Sequence, residues 1–219
     1  MTEVYIFKFD TVPMPENAPE LLPRWRRRRF ERLRYAPARE ESLAAGLLWR
    51  YVMQRHGVGP EEPVRFLQAG KPVFARRKDL YFSLSHSWPY AMCAVSDHPV
   101  GADVQKIKPV HMSIARRLHF RERDWLAARP ASEQTRSFFR IWARKEAWVK
   151  AVSRDELLSL AQEDVTRDIP GWHFTECVPG QEHVAAVCAR EGDTATVVTV
   201  EMNEIFAALT QNNIKEKET

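Results

Sequence analysis

With 219 residues, 44% of them hydrophobic and 28% charged, the chain has the makeup of a folded globular protein and not of a disordered or fibrous one. Its net charge of +4 is mild but unevenly placed: residues 1–105 carry 16 basic and 12 acidic groups, and residues 106–219 carry 17 of each. No apolar run nears the roughly 18–20 residues a membrane span needs, MTEVYIFKFD lacks the basic-then-apolar order of a secretory signal, and three cysteines without a CxxC pair are expected as buried thiols of a cytoplasmic protein.

In chain order, Val4–Phe9 reads as a strand and the proline-rich stretch Pro13–Pro23 as a loop. PRWRRRRFERLR (Pro23–Arg34) then holds seven arginines and one glutamate, which suits a solvated helix face, a nucleic-acid footprint or a site for a small polyanion. From Arg24 to about His56 the pattern is helical, with Leu43, Leu47, Leu48, Tyr51 and Val52 three and four apart, and Pro37 is expected to divide it into two helices. Val64–Gln68, Tyr81–Ser87, Tyr90–Ser96 and Val100–Val104 read as short strands, the middle two joined by a tight Trp88-Pro89 turn. Helices are expected at Ser113–Ala128 and Ser132–Val152, followed by strands at Trp172–Val178, His183–Ala189 and Ala195–Met202, one more helical turn and a frayed IKEKET end. A helix-then-strands order occurring twice predicts an α+β protein of two similar lobes.

Only 8 glycines are present, with no GxGxxG or GxxxxGK, so no glycine loop can cradle phosphates through backbone donors. GxSxG and HExxH are absent as well. Any phosphate chemistry must therefore use basic side chains and a metal ion. In VGADVQ (Val100–Gln105), strand alternation puts Asp103 and Gln105 on one face about 7 Å apart, offering oxygens to a hard cation such as Mg2+. In WARKEAWVKA (Trp142–Ala151), Phe138, Ile141, Trp142, Val149 and Val152 form an apolar helical stripe, while Glu146 and Lys150 have the i,i+4 spacing of a surface ion pair. FSLSHS (Phe82–Ser87), preceded by Gly70-Lys71-Pro72, ends a strand with hydroxyls and an imidazole that could hold an anion or serve only as structural hydrogen bonders.

The joint order GKP, FSLSHS, VGADVQ, WARKEAWVKA resembles the surfactin-synthetase-type 4'-phosphopantetheinyl transferases, which carry GKP, F(N/S)xSHS, (V/I)G(V/I)D(V/I)E and (W/F)xxKE(A/S)xxK with similar gaps. The likeness runs from the arginine-rich helix to about Lys150. It implies a two-lobed α+β fold with a pseudo-twofold axis: a coenzyme A-binding lobe at residues 1–105, a metal- and carrier-binding lobe at 106–203, and a tail at 204–219. It also implies transfer of the phosphopantetheine arm of coenzyme A to a serine of an apo acyl or peptidyl carrier protein, releasing 3',5'-ADP. On that resemblance Asp103, Gln105 and Glu146 hold Mg2+, and Glu146 is the base for the incoming serine. Lys150 contacts the phosphates, while Lys71, Ser85 and His86 bind coenzyme A. The arginine run binds its 3'-phosphate, with Arg27 the first choice, then Arg24 and Arg29.

Two positions depart from the family pattern. Gln105 stands where glutamate is usual, which predicts weaker Mg2+ binding or an extra water ligand. The segment AVSRDELLSLAQEDV replaces a glycine-containing stretch that meets the carrier in relatives. Arg116, Arg117, Arg121 and Arg123 are candidates for the acidic carrier surface, and equally readable as a solvated helix face. Two tandem lobes that build one site predict a monomer. A nucleic-acid binder using the arginine run is the rival reading, but it gives Asp103, Glu146 and His86 no task; a degenerate relative disabled by Gln105 is the other.

Overall fold

A computed structural model of the chain describes residues 1–67, 70–152 and 162–215, with side chains as far as residue 211. Gln68, residues 153–161 of the segment after Lys150, and the last four residues of the IKEKET end lie outside the described residues. The elements are β1 (Thr2–Lys8), α1 (Arg24–Arg32), α2 (Ala36–Arg55), β2 (Val64–Phe66), β3 (Pro72–Phe74), β4 (Tyr81–Ser87), β5 (Tyr90–Ser96), β6 (Gly101–Lys106), α3 (Phe120–Ala127), α4 (Ala131–Val152), β7 (Trp172–Cys177), β8 (His183–Arg190), β9 (Ala195–Val200) and α5 (Met202–Lys215). This is a mixed α+β architecture.

The strands form a four-stranded sheet in the order β4-β5-β1-β9, a three-stranded sheet in the order β6-β8-β7, and a small β2-β3 hairpin. Alternating side chains set the layers. Tyr5, Phe7, Ala91, Cys93 and Val95 pack with Leu47, Leu48 and Val52 of α2, whereas Val4, Ile6, Met92 and Ala94 on the other face meet Ala102, Val104, Ala185 and Val187 of the second sheet. Val184, Ala186 and Cys188 turn the opposite way, into the core with α4. The order is thus helix, sheet, sheet, helix, and burial of both strand faces explains the unbroken apolar runs AMCAV and VAAVCA.

The chain divides between helices α1 and α2 at Leu33–Tyr35, and Pro37 lies in the first turn of α2, where its missing N–H costs no helix hydrogen bond. The single helix expected at Ser113–Ala128 is instead a 3-10 segment (Met112–Arg117) and α3, because His119 caps the second: its Nδ1 accepts from Arg121 N–H at 3.3 Å, and Glu122 Oε2 accepts from His119 N–H at 2.9 Å. Strand β9, expected at Ala195–Met202, pairs in parallel with β1 of the first sheet. Helix α5, longer than the single turn expected, closes the first core through Ile205 and Leu209. The hairpin strand β3 was not anticipated. It is fixed by an edge-to-face aromatic cluster, with Phe74 4.9 Å from Phe82, Trp49 5.6 Å from Phe82 and Trp25 5.3 Å from Trp49. Each such contact contributes about 0.5–1.5 kcal/mol beyond its buried area, and together they set the hairpin as one wall of a cleft.

Candidate active site

The cleft measures about 220 Å3 and lies where the hairpin, α1, β4 and α4 meet. Its lining includes Arg26, Arg29, Lys71, His86, Glu146 and Lys150. On β6, Ala102 and Val104 face the first sheet, so Gly101, Asp103 and Gln105 face α4. Only glycine fits at position 101: a Cβ there would lie 1.8 Å from Ala147 O and 2.6 Å from Ala151 N of α4. That close approach brings Asp103 under the turn of α4 carrying Glu146 and Lys150.

Asp103, only 3% exposed, is densely partnered. Its Oδ1 accepts from Lys150 Nζ at 2.6 Å and from Ser85 Oγ at 2.8 Å, and its Oδ2 accepts from Gln105 Nε2 at 2.7 Å. Lys150 Nζ also donates to Ala102 O at 3.0 Å. Glu146, half-buried on the same face of α4, has its carboxyl held above the usual carboxylate range by burial and then by the charge of Asp103, against the opposing pull of Lys150. Two acidic groups 43 residues apart in sequence therefore repel each other between β6 and α4. A cation placed between them relieves that repulsion, and the two carboxylates suit a hard divalent ion; Gln105 turns its amide N–H toward Asp103, so its carbonyl would join them after the amide rotates. On these grounds the residues fit Mg2+.

The cleft's other wall is basic. Lys71 Nζ donates to Val100 O at 3.2 Å and to Lys150 O, tying the hairpin to β6 and to the C-terminal end of α4. Burial, and next the Lys150 charge, bring its ammonium down to about 7. His86 is held below its ordinary value by burial, a direction that Glu41 opposes and Arg26, Arg29 and Lys150 reinforce. Its Nδ1 lies 3.3 Å from Glu41 Oε2, and Glu41 Oε1 also accepts from Trp88 N–H at 2.9 Å.

Of the arginines, Arg29 reaches the cleft, and so does the buried Arg26, which sequence reasoning passed over. Arg26 Nη2 donates to Ser42 O at 2.7 Å; burial and then Arg29 lower its guanidinium to about 10. Arg27, the first choice, instead donates to Glu20 O, and Arg24 faces a different depression with Arg28 and Glu61. Ser85 points its hydroxyl at Asp103. Glu41 carried no sequence signal. Arg26 could have been found from its i,i+3 relation to Arg29.

Two further features bear on the site. Next to Glu146, Lys145 is buried with Glu122: Nζ lies 2.8 Å from Glu122 Oε1 and donates to Glu163 O at 2.7 Å, while Glu122 Oε1 accepts from Val165 N–H at 2.8 Å. This strut ties α3 and the 163–165 segment to α4. At the other end of the first sheet, Asp97, His98 and Asp193 form a second group able to hold an ion, with the Met1 amino group 2.9 Å from Asp97. Arg116, Arg117, Arg121 and Arg123 are all exposed, on the 3-10 segment and α3, around an exposed Phe120.

A sequence model of the 4'-phosphopantetheinyl transferase superfamily matches residues 99–195, the span that carries Asp103, Glu146 and Lys150. Over that span the chain is similar to that superfamily, and it resembles the Sfp-like members in particular. It is 34% identical over 111 residues to the 4'-phosphopantetheinyl transferase gsp of Aneurinibacillus migulanus, covering 49% of this chain and 46% of the relative. To psf-1 of Bacillus pumilus it is 34% identical over 127 residues, 57% of this chain and 54% of the relative. To Sfp of Bacillus subtilis it is 28% identical over 192 residues, 80% of this chain and 85% of that protein. The chain thus spans about half the length of the first two relatives and most of the third. No helix among the described residues is long and apolar enough to cross a membrane.

Proposed function

We propose that the protein is an Mg2+-dependent 4'-phosphopantetheinyl transferase that moves the phosphopantetheine arm of coenzyme A to a serine hydroxyl of an apo carrier protein. The observation that carries this is that Glu146 and Lys150, with Asp103 buried beneath them, stand in one cleft with Lys71, His86, Arg26 and Arg29. One end suits a metal and a nucleophile's proton, the other a polyphosphate.

In this reading residues 1–105 supply most contacts to coenzyme A, and residues 106–203 supply Glu146, Lys150 and the carrier-facing surface, with Asp103 at the junction. Arg26 and Arg29 bind the 3'-phosphate, since guanidinium forks match phosphate oxygens. Lys71 and His86 bind the phosphates nearer the seam. Asp103, Glu146 and the Gln105 carbonyl would hold Mg2+, which would supply charge neutralisation to the pyrophosphate. Glu146 takes the serine proton as the hydroxyl oxygen attacks phosphorus. The new P–O bond forms as the bridging P–O bond breaks, and Lys150 steadies the charge developing on the departing 3',5'-ADP. Arg116, Arg117, Arg121 and Arg123 offer a basic face to an acidic carrier. One chain supplies every group named, which favours a monomer.

Incubation of the protein with coenzyme A, Mg2+ and a panel of apo carriers, read by intact mass, tests the proposal. A carrier that gains one phosphopantetheine arm supports it; no gain across fatty-acid, polyketide and peptide-synthetase carriers refutes it.

A further inference from the structure

Strands β4 and β6 lie side by side yet belong to different sheets. What joins them is a set of three side-chain rungs. Ser83 Oγ accepts from Ala102 N–H at 2.9 Å, Ser85 Oγ from Val104 N–H at 3.2 Å, and Ser87 Oγ from Lys106 N–H at 2.9 Å. Alternation along β4 brings the three hydroxyls to one side, and alternation along β6 presents three amides to them. The S-x-S-x-S spacing of Ser83-Leu84-Ser85-His86-Ser87 therefore sets the register of one sheet against the other, residue for residue.

The middle rung does more than the outer two. A serine hydroxyl has one proton to donate and two lone pairs. Ser85 accepts from the amide that follows Asp103 and spends its proton on Asp103 Oδ1 at 2.8 Å. We infer that Ser85 is a positioning residue: it holds the Asp103 carboxylate in the orientation in which it meets the metal, while Ser87 is a rung of the seam only. This rests on the reading of Asp103 as a metal-holding group. It gives Ser85 a task other than gripping coenzyme A phosphates, because the one proton it could offer them is already committed.

The test compares Ser85→Ala, Ser85→Thr and Ser87→Ala for Mn2+ binding in the presence of coenzyme A, read from the free-Mn2+ resonance, with thermal unfolding alongside. Removing a group that orients a metal ligand weakens metal affinity about 10–100-fold, and Ser85→Ala is expected to do so. Ser85→Thr, which keeps the hydroxyl, should stay close to wild type. Ser87→Ala, which removes one rung and no bond to Asp103, should lower the unfolding temperature less than Ser85→Ala and leave Mn2+ affinity within about twofold. Should Ser85→Ala fail to fold, Ser85→Cys keeps the volume with only a weak donor and is expected to show the same loss. Wild-type affinity in the variants that lose the hydroxyl, or an equal loss in Ser87→Ala, overturns the role of Ser85 alone. A wild-type protein that takes up no Mn2+ with coenzyme A overturns the reading of Asp103, and the inference with it.

Discussion

Gly101→Ala isolates the contact that builds the site without touching any group assigned to the chemistry. The new methyl would sit 1.8 Å from Ala147 O, 2.6 Å from Ala151 N and 2.9 Å from Ala147 C. Those first two atoms are the acceptor and donor of one i→i+4 helix hydrogen bond, so the obstacle is backbone and cannot swing aside. Bringing the oxygen contact to an ordinary 3.4 Å requires β6 and α4 to part by about 1.6 Å. Overpacking by a methyl costs about 1–3 kcal/mol and more where backbone must shift, and the upper end applies here. For a chain of this size that lowers Tm by roughly 6–12 °C. The same parting carries Asp103 away from Glu146 and Lys150, and a misplacement of about 1 Å costs on the order of 100-fold in rate. Chemical unfolding, together with carrier modification followed by intact mass, measures both effects. A Gly101→Ala protein with wild-type stability and wild-type transfer would refute the close approach of β6 to α4 as the device that assembles the site.

Other expectations follow from the same contacts. Glu122→Ala leaves the buried Lys145 ammonium unpaired and should destabilise the fold by about 3–5 kcal/mol, whereas the double change Glu122→Leu with Lys145→Met should recover much of that loss in urea unfolding. Arg29→Ala is expected to weaken coenzyme A binding about tenfold by calorimetry, and Arg24→Ala by less than about twofold, because only the former side chain reaches the cleft. At about pH 8, Lys71, lowered to about 7 by burial, is largely neutral in the free protein; coenzyme A phosphates should restore its ammonium. Binding should then take up a proton, seen as a dependence of the binding enthalpy on the buffer's ionisation enthalpy, and Lys71→Met should abolish that uptake. Affinity accordingly falls as pH rises through about 7.

The parts of the fold read from the sequence are those governed by local periodicity. The Leu43–Val52 spacing marks α2, the 138–152 stripe marks α4, and the apolar run of β5 marks a strand buried on both faces. What escaped depends on distant partners. ATVVTV reads as a strand, but nothing in it tells that it will pair with β1, nearly the whole chain away. The β3 strand has only three residues, one of them proline, too few for a period to register. In the arginine run, composition leaves a solvated face, a nucleic-acid footprint and a polyanion site open, and which side chains reach the cleft depends on helix phase: Arg26 and Arg29 share a face, and Arg27 turns toward Glu20. The proximity of Asp103 to α4 is likewise invisible in spacing, and it was suggested only by the order of the motifs. The alternating serines of β4, by contrast, were present as a pattern, but their meaning needed the neighbouring strand.

In the proposed transferase, Asp103 and Glu146 share a cation beside a bound pyrophosphate. A crystal of the protein grown with coenzyme A and Mn2+, measured at the manganese absorption edge, locates that ion directly. The predicted result is an anomalous peak between the Asp103 and Glu146 carboxylates with the pyrophosphate oxygens against it. A peak at the Asp97, His98 and Asp193 group instead, or coenzyme A seated away from Lys71 and His86, would contradict it.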